Sequence, residues 1–77
     1  MRVTVELKAY LNKYSPGGER TFQQDLPDGA TVQTLVSRLK LPDEDASVVV
    51  LNDRNADLDD ALSEGDRVTF IPPLSGG

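Results

Sequence analysis

The sequence predicts a small α+β domain in which one amphipathic helix packs on a sheet whose strands outnumber the helices. Strand-like alternation near both ends and a single apolar stripe at helical spacing carry this prediction. The length of 77 residues points the same way, because a chain of this size buries only about 60% of the surface that its unfolded form exposes. A roomy internal substrate pocket is therefore not expected.

The first segment predicts a strand that turns back on a second one. Polar residues alternate with Val3, Val5, Leu7 and Ala9, which is the period of a half-buried strand. Residues 11–19 contain Pro16-Gly17-Gly18, a combination that favours chain reversal and therefore a hairpin-type connection. Residues 20–26 are predicted to be the partner strand, with Phe22 and Leu26 inward.

A helix is predicted after the break at Pro27-Asp28-Gly29. Thr31 is a suitable N-cap. Apolar residues then recur at i, i+3, i+4 and i+7, namely Val32, Leu35, Val36 and Leu39. This stripe is about two turns long, too short to be stable alone, so the helix must pack on the sheet before Leu41-Pro42 ends it.

The second half predicts further strands joined by turns. Residues 48–51 are all apolar, so both faces of this segment are apolar, which is typical of a strand in the middle of a sheet. The segment lies between an acidic turn at 43–45 and a turn at 52–55. Leu58 and Leu62 are expected to anchor a short strand and a single helical turn. Residues 67–71 form the last predicted strand. Across the whole chain, the predicted core consists of Val3, Val5, Leu7, Phe22, Leu26, Val32, Leu35, Val36, Leu39, Val50, Leu58, Leu62, Val68 and Phe70.

Composition excludes several classes of protein. Without Cys the chain forms no disulfide or thiolate metal site, and without His it lacks the usual base at neutral pH and the commonest metal ligand. A net charge of −5 argues against nucleic-acid binding, which needs clustered Lys and Arg. Residues 1–40 carry +2 and residues 41–77 carry −7. This asymmetry reflects either solvated acidic turns or an acidic rim that steers a basic partner.

Location is predicted to be the cytoplasm. Charged residues interrupt the first residues every few positions, so no signal-peptide core is expected. No apolar run approaches the roughly 18 residues of a membrane-spanning helix, and no membrane association is expected. One domain is predicted over residues 1–71, followed by a flexible tail over 72–77.

The tail carries the candidate functional group. Pro72 and Pro73 cannot continue strand pairing, so the backbone is expected to project as a semi-rigid spacer. Leu74 and Ser75 follow, and then Gly76 and Gly77, whose lack of side chains suits a narrow channel. The Gly77 carboxylate is the predicted reactive group. It needs activation by a partner, because the chain has no Gly-rich phosphate loop to hold ATP.

The residue before the tail is predicted to contact a partner. If Val68 and Phe70 point inward, the pleat places Ile71 on the opposite face, exposed next to Pro72. With Pro73 and Leu74, Ile71 is expected to form an apolar strip beside the entrance to the partner's channel.

The residues from Gly65 to Gly77, Gly65-Asp66-Arg67-Val68-Thr69-Phe70-Ile71-Pro72-Pro73-Leu74-Ser75-Gly76-Gly77, resemble the carboxyl end of the MoaD/ThiS sulfur carriers. These are ubiquitin-like small proteins of molybdopterin and thiamine biosynthesis. The opening strand, residues 27–32 and residues 58–66 also lie where that family places such residues. The resemblance implies the β-grasp fold of ubiquitin, a mixed sheet of about four to five strands on one main helix. The double proline and the extra 11–19 loop favour the small subunits of molybdopterin synthase.

By this resemblance the chain is a carrier and not itself an enzyme. An ATP-dependent activating enzyme would adenylate the Gly77 carboxylate and convert it to a thiocarboxylate, with no metal or cofactor bound by the chain. The tail would then enter a large molybdopterin synthase subunit and donate sulfur. Three alternatives remain: a carrier for thiamine or another sulfur-transfer pathway, a protein modifier that forms isopeptide conjugates, and an interaction module with an inert tail.

Overall fold

The computed structural model of the chain describes residues 1–73. Within these residues, five strands form one mixed sheet in the order β2-β1-β5-β3-β4. The strands are β1 (Arg2–Leu7), β2 (Thr21–Asp25), β3 (Val48–Leu51), β4 (Arg54–Ala56) and β5 (Arg67–Ile71). The first and last strands run parallel at the centre of the sheet, and the other pairs are antiparallel.

In the described part of the chain there is one α-helix, α1 (Val32–Leu39), whose buried residues join those of β1 and β5 in one core. Thr31 and Thr34 form a reciprocal capping box, in which each side-chain oxygen accepts from the other residue's backbone amide. The helix ends where Lys40 adopts a left-handed conformation and the Leu41 amide donates to the Val36 carbonyl. The predicted helical stripe is confirmed, since all four of its residues are buried.

The core lies between α1 and the face of the sheet that the helix covers. Its largest fully buried side chains are Phe70, Leu7, Leu11, Leu35, Val3, Val5, Val32, Val36 and Val68. Most predicted core residues are confirmed, although Phe22 and Leu58 are only partly buried at its margin. Val50 is wrong. Its neighbour Val49 lies opposite Phe70 and faces the helix, so the pleat turns Val50 to the other face.

The connection between β1 and β2 holds more structure than predicted. β1 ends at Leu7, and Ala9 leaves the strand alternation with a positive φ of 53°. A 3₁₀ helix, η1 (Ala9–Tyr14), follows and buries Leu11 completely. The loop therefore contributes a core residue.

Two turn predictions in the second half need correction. The acidic turn is a second 3₁₀ helix, η2 (Asp43–Ala46), and Asp45 within it is buried. The predicted turn at 52–55 narrows to Asn52 and Asp53, because Leu51 pairs with Arg54 at the start of β4. Both turn residues have positive φ, 50° and 73°, which is the requirement of the hairpin turn that matches strand twist.

The short strand and helical turn predicted around Leu58 and Leu62 are wrong. Between β4 and β5 the chain forms loops, with an isolated bridge between Thr31 and Ala61. The physical reason lies in the helix: the Leu58 and Asp60 carbonyls accept hydrogen bonds from the first amides of α1. These carbonyls satisfy helix donors that have no partner within the helix.

Candidate functional site

The candidate site is the edge of the sheet where β5 ends and the chain passes into the tail. Phe70 is fully buried and Ile71 is half-buried, so the prediction that Ile71 is exposed is corrected. Ile71 lies directly opposite Val48 across the antiparallel β5–β3 pair, and this contact across the pleat covers part of its side chain. Pro72 is buried and Pro73 is exposed.

The remaining predicted site residues, Leu74, Ser75, Gly76 and Gly77, lie outside the described residues. The tail begins at the end of β5, where Pro72 and Pro73 directly follow Ile71. β5 pairs with β1 on one side and with β3 on the other. A strand held on both sides gives the tail a fixed point of departure.

An apolar patch adjoins that point on the face of the sheet opposite α1. We call Val48, Val50 and Ile71 the outer patch, since their register places all three on this face. Val48 is 41% exposed, one of the two large hydrophobic residues that stand out on the described surface. The sequence predicted Ile71 as a partner contact, which stays a prediction, and Val48 was not predicted. Residues 48–51 are all apolar, and this run was the available signal. Successive side chains of a strand point to opposite faces, so every second apolar side chain of β3 must lie on the face that α1 does not cover.

The same face becomes polar toward β1. The Glu6 carboxylate accepts from Lys8 Nζ at 2.9 Å, from Arg67 at 3.1 Å and from the Thr69 hydroxyl at 3.3 Å. The hydrogen bond from Lys8, and then that from Arg67, lower the pKa of the Glu6 carboxyl. The outer patch is therefore bordered on one side by a charge cluster of one carboxylate and two cations.

A second group of side chains lies near the strand end. The Tyr10 hydroxyl donates to Asp45 Oδ1 at 2.9 Å and so connects η1 to η2. This hydrogen bond raises the pKa of the Tyr10 hydroxyl, because loss of its proton would place two negative charges together. Lys13 Nζ lies 5.3 Å from the ring centroids of both Tyr10 and Tyr14. No local sequence pattern signals this group, since Tyr10 and Asp45 are 35 residues apart.

Other features of the described surface offer little chemistry. Residues 1–73 hold no cluster of three or more acidic, His or Cys side chains that could bind a metal. Among these same residues no helix has the length and apolar content needed to cross a bilayer. An open groove of about 370 Å³ runs along β4, at the end of β3 opposite to Val48. It is lined by Leu51, Arg54, Asn55, Ala56, Asp60 and Ala61.

These features define a class of protein. A mixed sheet with its first and last strands parallel at the centre and one helix packed across it is the β-grasp fold of ubiquitin-like proteins. The last strand leads directly into the segment that ends Gly76-Gly77. The ThiS family model matches residues 9–77. The chain belongs to the ThiS family, and it is a ubiquitin-fold carrier of the ThiS/MoaD type.

Solved structures agree with this assignment. SAMP1 from Haloferax volcanii is 26% identical, with full coverage of both chains and a TM-score of 0.76. A putative molybdopterin converting factor, subunit 1, from Pyrococcus furiosus is 28% identical over 96% of this chain and 99% of its own, with a TM-score of 0.77. No curated protein sequence matches significantly.

A third structure supports the fold alone. It is a complex of subunits 1 and 2 of the molybdopterin-converting factor from Helicobacter pylori 26695. The match is 24% identical over the whole of both chains, with a TM-score of 0.63.

Proposed function

We propose that this chain carries sulfur as a thiocarboxylate on Gly77 and delivers it to a partner enzyme in molybdopterin synthesis. The observation that carries the proposal is the family match, which runs from η1 through β5 to Gly77. The match therefore includes both the body of the domain and the diglycine segment. The fold supports it, because β5 directs the chain toward Pro72 and Pro73 at one edge of the sheet.

The chemistry requires three steps that partner proteins carry out. A Gly77 carboxylate oxygen attacks the α-phosphorus of ATP and pyrophosphate leaves, which gives an acyl adenylate. A sulfur nucleophile of the persulfide class then attacks the acyl carbon, AMP leaves, and reductive cleavage of the sulfur–sulfur bond by a thiol yields the thiocarboxylate. This chain supplies the carboxylate and the docking surface. The activating enzyme supplies ATP binding, and a large synthase subunit takes the sulfur.

The molybdopterin pathway is favoured over the thiamine pathway by the Pyrococcus furiosus relative, which is described as a molybdopterin converting factor subunit. The Helicobacter pylori structure is of subunits 1 and 2 in complex. We propose a matching large subunit as the acceptor here, because the Pyrococcus furiosus relative is described as subunit 1 of such a factor. Incubation of both subunits with the pterin precursor should consume the thiocarboxylate, whereas a thiamine-pathway acceptor should leave it intact.

The direct test is intact-mass analysis of the chain. Incubation with the activating enzyme, ATP and a sulfur source should add about 16 Da, the exchange of one oxygen for sulfur. Deletion of Gly77 should abolish this exchange and change the free energy of unfolding by less than about 0.5 kcal/mol, because chain ends contribute little packing. An unchanged mass with an activating enzyme proven on another substrate would contradict the proposal.

Protein modification is the second candidate, favoured by the likeness to SAMP1 from Haloferax volcanii, which is described as small archaeal modifier protein 1. The same acyl adenylate could be attacked by a lysine amine, releasing AMP and forming an isopeptide. Partner proteins would then gain the mass of this 8.4 kDa chain less one water. A conjugate that survives thiol treatment distinguishes this use from sulfur transfer.

A further inference from the structure

The two 3₁₀ helices lie on either side of the point where the chain leaves β5. β5 lies between β1 and β3 in the sheet. β1 runs parallel to β5 and β3 antiparallel to it, so the end of β1 and the start of β3 are at the same sheet edge as Ile71. η1 begins just after β1 and η2 ends just before β3. Both contact β5.

The hydrogen bond from Tyr10 to Asp45 joins these two helices. A buried carboxylate is costly unless it is hydrogen-bonded, and Asp45 is only 8% exposed. Among residues 1–73, the side chain that donates a hydrogen bond to Asp45 is Tyr10, whose hydroxyl lies 2.9 Å from Asp45 Oδ1. Tyr10 itself is 49% exposed. Core burial therefore does not hold the Tyr10 ring in place, whereas the bond to Asp45 does.

Lys13 restrains the same ring from another direction. Its ammonium group lies 5.3 Å from the ring centroids of Tyr10 and Tyr14, within the range of a cation–π interaction. Tyr10 is thus hydrogen-bonded at its hydroxyl to Asp45 and contacted at its ring by Lys13. A half-exposed tyrosine held at two points is ordered for a reason other than packing in the core.

Pro72 lies at the same edge of the sheet, directly after the last residue of β5. The pairing of β5 with β1 ends at Phe70 and its pairing with β3 ends at Ile71. Pro72 comes after both ladders and yet is buried. It follows the end of the strand that both η1 and η2 contact.

We propose that Tyr10 and Asp45 form a clasp across the end of β5 that fixes the direction in which the chain leaves the domain at Pro72 and Pro73. They are positioning residues, because neither is placed at the reacting carboxylate. The clasp sets where the following segment begins, so that a partner that docks on the sheet meets that segment in one orientation. The use of the clasp in delivery rests on the proposed function. The direction in which the chain leaves β5 can be measured whether or not the chain carries sulfur.

The first measurement uses a spin label. The chain has no Cys, so Leu74→Cys gives one labelling site beyond Pro73. Paramagnetic broadening of body amides should cluster on one side of the strand end, and Tyr10→Phe or Asp45→Ala should redistribute it. Tyr14→Phe is the matched control, since it removes a hydroxyl from the other ring near Lys13. Asp45→Asn keeps an acceptor for Tyr10 and should preserve the original pattern.

The second measurement is kinetic and uses the unlabelled chain of full length with the activating enzyme. Tyr10→Phe should lower kcat for thiocarboxylation roughly 10- to 100-fold with little change in KM, because docking is intact while the reacting group is misplaced. Asp45→Asn should restore most of kcat. Tyr14→Phe should match the wild type.

The outcomes separate the two proposals. If Tyr10→Phe leaves the broadening pattern unchanged, or if Tyr14→Phe alters it equally, the clasp is wrong even when the wild type is thiocarboxylated. If the wild type is never thiocarboxylated but Tyr10→Phe redistributes the broadening, the clasp stands and the proposed function fails. A fall in kcat with an unchanged broadening pattern also overturns the clasp, because it assigns Tyr10 to partner contact.

Discussion

Ile71, the last residue of β5, lies directly opposite Val48, the first residue of β3, and the two side chains share the face of the sheet that the helix leaves open. The pair lies immediately before Pro72 and Pro73. A partner that receives the tail must pass close to this pair. The outer patch is therefore the surface on which docking and delivery would be coupled.

Val48→Asp should weaken binding to the activating enzyme by about 1–3 kcal/mol, as loss of a desolvated apolar contact does. Val48 is exposed, so its replacement tests binding with less effect on folding than replacement of half-buried Ile71. Titration calorimetry measures the affinity. Gln23→Asp is the matched control, because it adds the same charge to the same face on β2. Equal weakening by both variants would show a general charge effect and would remove the outer patch as the docking surface.

Leu35→Ala should lower the free energy of unfolding by about 2–5 kcal/mol through lost transfer free energy and the cavity left behind. Leu35 is fully buried where α1 meets the sheet. Urea unfolding measures the change, with the exposed Arg38→Ala on the same helix as the control. A near-neutral Leu35→Ala would mean that the helix contributes little to the core.

Stability should fall in acid partly through Glu6. Lys8 and then Arg67 lower the pKa of this carboxyl from its ordinary value of 4.5 in the folded state. A lowered folded-state pKa contributes stability above the unfolded value, and that contribution is lost as the pH falls through the folded value. Unfolding free energies measured from about pH 6 to pH 3 should thus decline less steeply for Glu6→Gln.

Asp25 provides the comparison for that experiment. The hydrogen bond from Arg2 lowers the pKa of Asp25 from its ordinary value of 3.8. Asp25→Asn should therefore flatten the same profile, but starting at a lower pH than Glu6→Gln does. Parallel profiles for Glu6→Gln and the wild type would show that the Glu6 cluster contributes nothing to folding.

Asp53→Gly should raise the free energy of unfolding by up to about 1 kcal/mol, because Asp53 occupies the left-handed region that disfavours residues with a Cβ. Its φ is 73° in the turn between β3 and β4. Asp53→Ala should destabilise, since alanine has neither the freedom of glycine nor a polar side chain suited to this conformation. Neighbouring Asn52 is left unchanged because its side chain bonds Asp66 and the Arg67 amide. Equal stability of the glycine and alanine variants would contradict the turn geometry.

The sequence by itself determined the elements whose signal is local. The i, i+3, i+4, i+7 stripe located α1 to the residue, and alternation located β1 and β5, because both periods follow from the backbone geometry of the element itself. The β-grasp fold followed from the resemblance carried by Gly65 to Gly77, and the structure confirms it. The role of Gly77 itself stays a prediction.

Tertiary structure decided what depends on distant partners. Val49 rather than Val50 faces the helix because β3 pairs in register with β5, and an apolar run at both parities cannot reveal that choice. The loop after β4 is held to α1 because the Leu58 and Asp60 carbonyls accept from the first amides of the helix. The buried Asp45 accepts a hydrogen bond from Tyr10, which is 35 residues away in sequence. Local periodicity reports the conformation of a segment, whereas burial at the end of β5 depends on which segments the folded sheet brings together.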